Sequence, residues 1–138
     1  MRLELNRPKG HNRYCGPAVI SILTGMTTNA AADKIRWRSG RIVRGVYIHD
    51  LVAALKDCGW RYREWKSCPV KPTLAQWLKD TKARRTSGRI YLVLAGSHYQ
   101  IITGRRYICG RVGELVSVRD KRVKRRARVS QWLELVRA

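Results

Sequence analysis

At Ser87-Gly88 the hydrophobic period of the chain changes. Before it, apolar residues recur at helical spacing; after it, short runs rich in β-branched and aromatic residues follow one another between glycine turns. Ala18, Val19, Ile22 and Leu23 lie on one helical face, opened by Gly16-Pro17 and closed by Gly25, which predicts a helix that begins at Cys15. Thr27 or Thr28 caps a second helix through Ala30, Ala31, Ala32, Lys34 and Ile35, ending near Ser39-Gly40, with an arginine-rich loop after it. A third helix is expected over Ile48 to Cys58, stopped by Gly59. A short strand around Trp60, Tyr62 and Trp65 follows, then a fourth helix capped by Thr73 and carrying Leu74, Trp77 and Leu78.

Beyond Gly88, Ile90 to Leu94, Tyr99 to Thr103 and Tyr107-Ile108 read as adjacent antiparallel strands. Leu115 to Val118 could add another. Val129 to Val136 fits either a strand or a short helix capped by Ser130. A helical front half followed by an antiparallel sheet is an α+β architecture. At 138 residues, 44% hydrophobic and without low-complexity stretches, the chain is expected to form one domain over 1–138.

Within that frame two residues stand where chemistry is possible. A helix N-terminus favours a thiolate, because unpaired amides and the helix dipole point at it, and Cys15 holds that position. Its own amide is left free to bind an oxyanion. His98 opens the strand Tyr99 to Thr103 directly after Gly96-Ser97, where an imidazole can project beside the sheet and take the thiol proton. Taken singly, Cys15 reads as a small buried hydrophobe and His98 as an ordinary strand residue. Their order and context point instead to a nucleophile and base.

The run Asn12-Arg13-Tyr14-Cys15-Gly16-Pro17-Ala18 resembles the nucleophile motif of papain-like cysteine peptidases of the bacteriocin-leader-processing, double-glycine-leader type. Ser97-His98-Tyr99-Gln100-Ile101-Ile102-Thr103-Gly104 resembles their His-Tyr-Val-Val motif, and element order agrees over most of the chain. The arrangement is also similar to small cysteine-peptidase-like proteins encoded by bacteriophages. The resemblance implies a papain-like fold, with the nucleophile at a helix start packed on a C-terminal antiparallel sheet. It also implies a thiol hydrolase, a peptidase or isopeptidase acting through an acyl-enzyme on a protein or peptide substrate, with acyl transfer as a variant. Where the family has a Gln six residues before the nucleophile, this chain has Lys9, so Asn12, Asn6 or Lys9 itself is left as the side-chain oxyanion donor. For the group that orients the imidazole, Asp120 is the candidate, since direct correspondence falls on Cys109; without either, a Cys-His dyad remains.

Thirty Lys and Arg against nine Asp and Glu give a formal charge of +21, which predicts attraction to polyanions. Arg119, Lys121, Arg122, Lys124, Arg125, Arg126 and Arg128 crowd one stretch near the C-terminus, with Asp120 the one acid among them. The rival function is therefore a catalytically inactive or weakly active basic protein of the same fold that binds nucleic acid or an anionic partner. No zinc-ligand spacing, P-loop or dinucleotide motif occurs, so neither metal nor cofactor is expected. The tryptophans read as core, with Trp65 among Arg61, Arg63 and Lys66 the one that could stack on a base. The N-terminus has no apolar signal region and no stretch is apolar enough to span a bilayer. A cytoplasmic protein with reduced cysteines is expected, in a host cytoplasm or a virion if phage-encoded.

Overall fold

The computed structural model describes residues 2–39, 45–86 and 88–138. Four helices and six strands follow in the order α1 (Cys15–Thr24), α2 (Thr28–Ser39), α3 (Ile48–Asp57), β1 (Trp60–Ser67), α4 (Leu74–Asp80), β2 (Ile90–Ala95), β3 (His98–Thr103), β4 (Arg106–Cys109), β5 (Val116–Ser117) and β6 (Val129–Arg137). The strands form one antiparallel sheet in the order β1-β6-β2-β3-β4-β5. The arginine-rich segment expected after α2 and the Ser87 end of the period change lie outside the described residues.

Side-chain alternation divides the sheet between two cores. Ile90 and Leu92 of β2, Ile101 of β3 and Leu133 and Leu135 of β6 pack with α1, α2 and α3. Tyr91, Val93, Ile102 and Trp132 point the other way and pack with Leu74, Trp77 and Leu78 of α4 and with Val112 and Val123. Because both faces are covered, β2 is apolar at every position rather than at alternate ones, as strands buried on both sides are.

The ambiguous C-terminal stretch is the strand. β6 lies between β1 and β2, and Ser130, the possible helix cap, sits instead at an irregularity in the β2–β6 register, where its hydroxyl donates to Leu94 O. The one carboxylate on this interior strand, Glu134, is 2% exposed and meets Arg63 at 3.1 Å, with Arg84 and Arg89 close by. Of Leu115 to Val118, just Val116 and Ser117 pair with β4. Among the described residues no helix is long and apolar enough to cross a membrane.

Candidate active site

The first turn of α1 explains each residue of the Cys-Gly-Pro-Ala run. Tyr14 is the extended N-cap and supplies no side-chain cap. Its carbonyl accepts from Ala18 N, while Pro17 has no amide to satisfy, so among the described residues the Cys15 and Gly16 amides are the unclaimed donors of that turn. Gly16 is required by close approach: a Cβ there would lie 2.4 Å from Val46 Cγ1. Ala18, fully buried, faces Gly110, where an added Cβ would come within 2.9 Å of the Ala18 methyl and 3.9 Å of Cys15 Cα. The helix N-terminus is thus clamped between the Val46 segment and the end of β4.

Cys15 is half-buried and opens onto a cleft of about 790 Å³ lined by Val46, Tyr47, His49, Leu94, Ser97, Tyr99 and Gln131, among others. Tyr99 donates its hydroxyl to Val46 O, and burial drives its phenol far above the usual range, with Cys15 and Asp50 adding to the effect. Tyr99 is therefore a fixed, neutral wall of the cleft. Trp65, the residue that could have stacked on a base, donates to Gln131 at 2.9 Å and packs its ring against His49 and Tyr62. Of Val46, His49, Tyr99 and Gln131, just Tyr99 belongs to a motif; they meet because the segment before α3, α3 itself, β3 and β6 converge here.

His98 opens β3 next to Ser97, which has φ 58 and lines the same cleft as Cys15. His98 is 9% exposed, and among the described residues its buried Nε2 has no hydrogen-bond partner. Burial, then the Arg111 charge, lowers its pKa from 6.5 to about 4. The β3–β4 register continued outward from Gln100↔Cys109 brings Arg111, not a carboxylate, opposite His98. The ring is thus a neutral base at neutral pH. Among the described residues no hydrogen bond joins it to Cys15 or to an acid.

The other candidates fall in different places. Asn12 accepts from Tyr14 N through Oδ1 while its backbone amide donates to Asn29, so it shapes the approach to Cys15. Asn6 is tied to Gly25 O and Ser21. Lys9 lies with Arg7, His11, Arg13, Gly110 and Arg111 around a basic pocket of about 650 Å³ on the β4 flank of Cys15. Cys109 is buried, accepting from Tyr107 Oη and Val112 N.

The structure does not bring Asp120 to the imidazole. Ser117 pairs with Arg106 and Arg106 with Thr103, so Asp120 follows at the Thr103 end of β3. His98 occupies the opposite end of this six-residue strand, roughly 16 Å away at about 3.3 Å per residue. Both Asp120 carboxylate oxygens are engaged by Arg122, which holds its pKa down to about 2. Arg122 also reaches Glu114. Among the described residues no three His, Cys, Asp or Glu side chains cluster as a metal-binding group.

No family model matches the chain, and no curated protein matches it. Among solved structures, a double glycine motif protease from an AMS/PCAT transporter, crystallised in complex with the leader peptide, superposes with a TM-score of 0.57. The match covers 99% of this chain and 94% of that one at 10% sequence identity. The fold is papain-like. At that identity the likeness is one of fold alone.

Proposed function

We propose that this chain is a thiol hydrolase of the peptidase or isopeptidase type, with Cys15 as nucleophile and His98 as base. The observation that carries the reading is the first turn of α1, where a half-buried thiol stands beside two unclaimed amides at the head of a cleft bordered by the His98 hairpin. His98 Nε2, buried and unpaired, takes the thiol proton as Cys15 Sγ attacks a carbonyl carbon. The Cys15 amide stabilises the oxyanion, with Asn12 or Lys9 as the side-chain donor. The leaving amine departs with the proton held on His98, and water then releases the acyl group. Likeness to a protease whose crystal structure holds a leader peptide supports a peptide as the substrate.

The test is alkylation by iodoacetamide. Burial pushes the Cys58 and Cys68 thiols up and Cys109 is 1% exposed, so Cys15 is expected to react first. His98→Ala should slow it, while His49→Ala, in the same cleft, should not. Equal rates at Cys15, Cys58 and Cys68 end the proposal, and sensitivity to His49 alone moves the base to that residue.

A second reading, the same fold serving as a basic binding protein, is favoured by Lys9, Cys109 and Arg111 at positions that would support catalysis. A chain of that kind binds a polyanion at low salt and hydrolyses nothing, and Cys15→Ala leaves its binding unchanged.

A further inference from the structure

Three segments far apart in the chain converge on a cleft of about 710 Å³ on the α4 side of the sheet. The end of α4 and the turn after it contribute Lys79, Lys82 and Arg85. The β3–β4 turn contributes Arg105, and the loop after β5 contributes Arg119 and Arg125. None of its described lining residues is a carboxylate. Among the described residues the Lys79, Lys82, Arg105, Arg119 and Arg125 side chains make no ion pair or hydrogen bond, because the acids are committed elsewhere. Glu64 and Glu134 hold Arg84 and Arg63, while Glu114 and Asp120 hold Arg122.

Arg85 forms the floor. It is 8% exposed, donates to Thr81 Oγ1 at 2.9 Å, Leu78 O at 2.8 Å and Gly104 O, and lies over the Trp77 ring. Every partner is a neutral oxygen or an aromatic face. A guanidinium this deep is ordinarily matched by an anion. Here the fold fixes the group in place, leaves its charge uncompensated, and rings it with five more cations whose mutual repulsion an anionic occupant would relieve.

We infer that this cleft binds the phosphate backbone of a nucleic acid without reading its bases. Charge density decides for phosphate. Duplex DNA presents one negative charge per ~1.7 Å of axis, whereas carboxylates on an extended acidic peptide are spaced by at least ~3.3 Å per residue, too sparse for six cations in one cleft. The lack of base readout follows from the lining: no exposed aromatic stands in the cleft, and the nearest, Trp77, is 3% exposed beneath Arg85. Of the seven basic residues in the stretch after Ser117, Arg119 and Arg125 line the cleft. Arg122 is held by two carboxylates, and Arg128 donates to Lys71 O. The site lies on the face of the sheet away from α1, so it is independent of Cys15 and stands or falls apart from the hydrolase reading.

The experiment is fluorescence anisotropy of the full chain with a labelled duplex of random sequence, titrated across salt concentrations. The triple variant Lys82→Glu, Arg119→Glu, Arg125→Glu is compared with Lys34→Glu, Arg36→Glu, Arg61→Glu, which changes net charge equally on other surfaces. Binding that weakens steeply with salt, a loss of more than tenfold in the cleft variant and a much smaller loss in the control are expected. The exposed single change Lys82→Gln, too mild to unfold the chain, should lower the log–log salt slope by about one. Equal losses in the two triple variants, no binding at low salt, or displacement of the duplex by poly-glutamate at equal charge would each overturn the proposal.

Discussion

The two faces of the sheet bury cores of similar chemistry and carry clefts of opposite character. On the α1 face the cleft is half apolar, walled by Leu94, Val46 and a neutral Tyr99, and holds a single thiol at a helix terminus. On the α4 face the cleft is lined by unpaired cations around a buried guanidinium. On the two proposals, one face encloses a reacting group and the other holds a charged polymer. Polar side chains are placed on both, but on the first they are few and directed, whereas on the second they are many and alike. Changes on one face are therefore expected to leave the other untouched.

The largest separation should come from Cys15→Ala. On the hydrolase reading it removes the proposed nucleophile, so hydrolysis is expected to fall to the uncatalysed background while duplex binding stays within twofold of the parent. Parallel peptide-hydrolysis and anisotropy assays on the same preparation check this. Loss of both functions together would mean that the faces are coupled.

Next is the clamp around α1. Gly16→Ala drives a methyl group into Val46 Cγ1, and Gly110→Ala drives one into Ala18, with backbone or packed side chain on both sides. Overpacking of this kind costs about 1–3 kcal/mol, so each variant should melt several degrees lower and hydrolyse more slowly, with duplex binding retained at temperatures where it is folded. Thermal denaturation followed by circular dichroism measures the first effect. Unchanged melting in both would mean that the clamp is loose.

This contrast also separates what could be read from the sequence from what could not. The α1 face was legible because its signals are local. Cys15, Gly16, Pro17 and Ala18 are consecutive, and Gly25 and Gly96-Ser97 mark boundaries where the structure has them, at φ 82 for Gly25 and φ 57 and 58 for the pair. The α4 face was not, since Lys82, Arg105 and Arg125 become neighbours only once β3–β4 and β4–β5 pairing is fixed. A count of basic residues cannot tell Arg125, which lines the cleft, from Arg122, which two acids neutralise. The same non-locality is why Asp120 reads as an orienting acid in the sequence. It follows a strand pair that runs toward the Thr103 end of β3, and register alone reveals it. Val129 to Val136 stayed ambiguous because a strand buried between two neighbours loses the clean alternation that would have marked it.

A smaller effect concerns protons. His98 has its pKa lowered from 6.5 in the unfolded chain to about 4 by burial and Arg111. Between those values the unfolded chain binds the extra proton, so stability is fully present above pH 6.5 and falls as pH drops toward 4. Each pKa unit by which the two states differ is worth at most about 1.4 kcal/mol, and screening by water at the hairpin reduces the sum. His98→Asn should flatten that part of the stability profile measured by urea denaturation. For activity, the acidic limb should lie well below 6.5, because the base remains neutral there. An acidic limb at 6.5, or a variant with the parent's stability profile, would mean that the ring is solvated.

The smallest effect lies on the other face. Thr73 caps α4 by accepting from Gln76 N at 3.1 Å, and α4 carries Lys79 toward the cationic cleft while packing Leu74, Trp77 and Leu78 beneath it. A seven-residue helix has little propensity to form alone, so the cap and the apolar face together define its first turn. Thr73→Ala should cost about 1 kcal/mol, and Thr73→Ser or Thr73→Asp should restore it by returning an acceptor oxygen to the Gln76 amide. Because Lys79 and the turn to Arg85 depend on where α4 ends, the alanine variant should weaken duplex binding by a few-fold at most while iodoacetamide labelling of Cys15 proceeds at the parental rate. A change in Cys15 labelling without a change in duplex affinity would reverse the assignment of α4 to the cationic face.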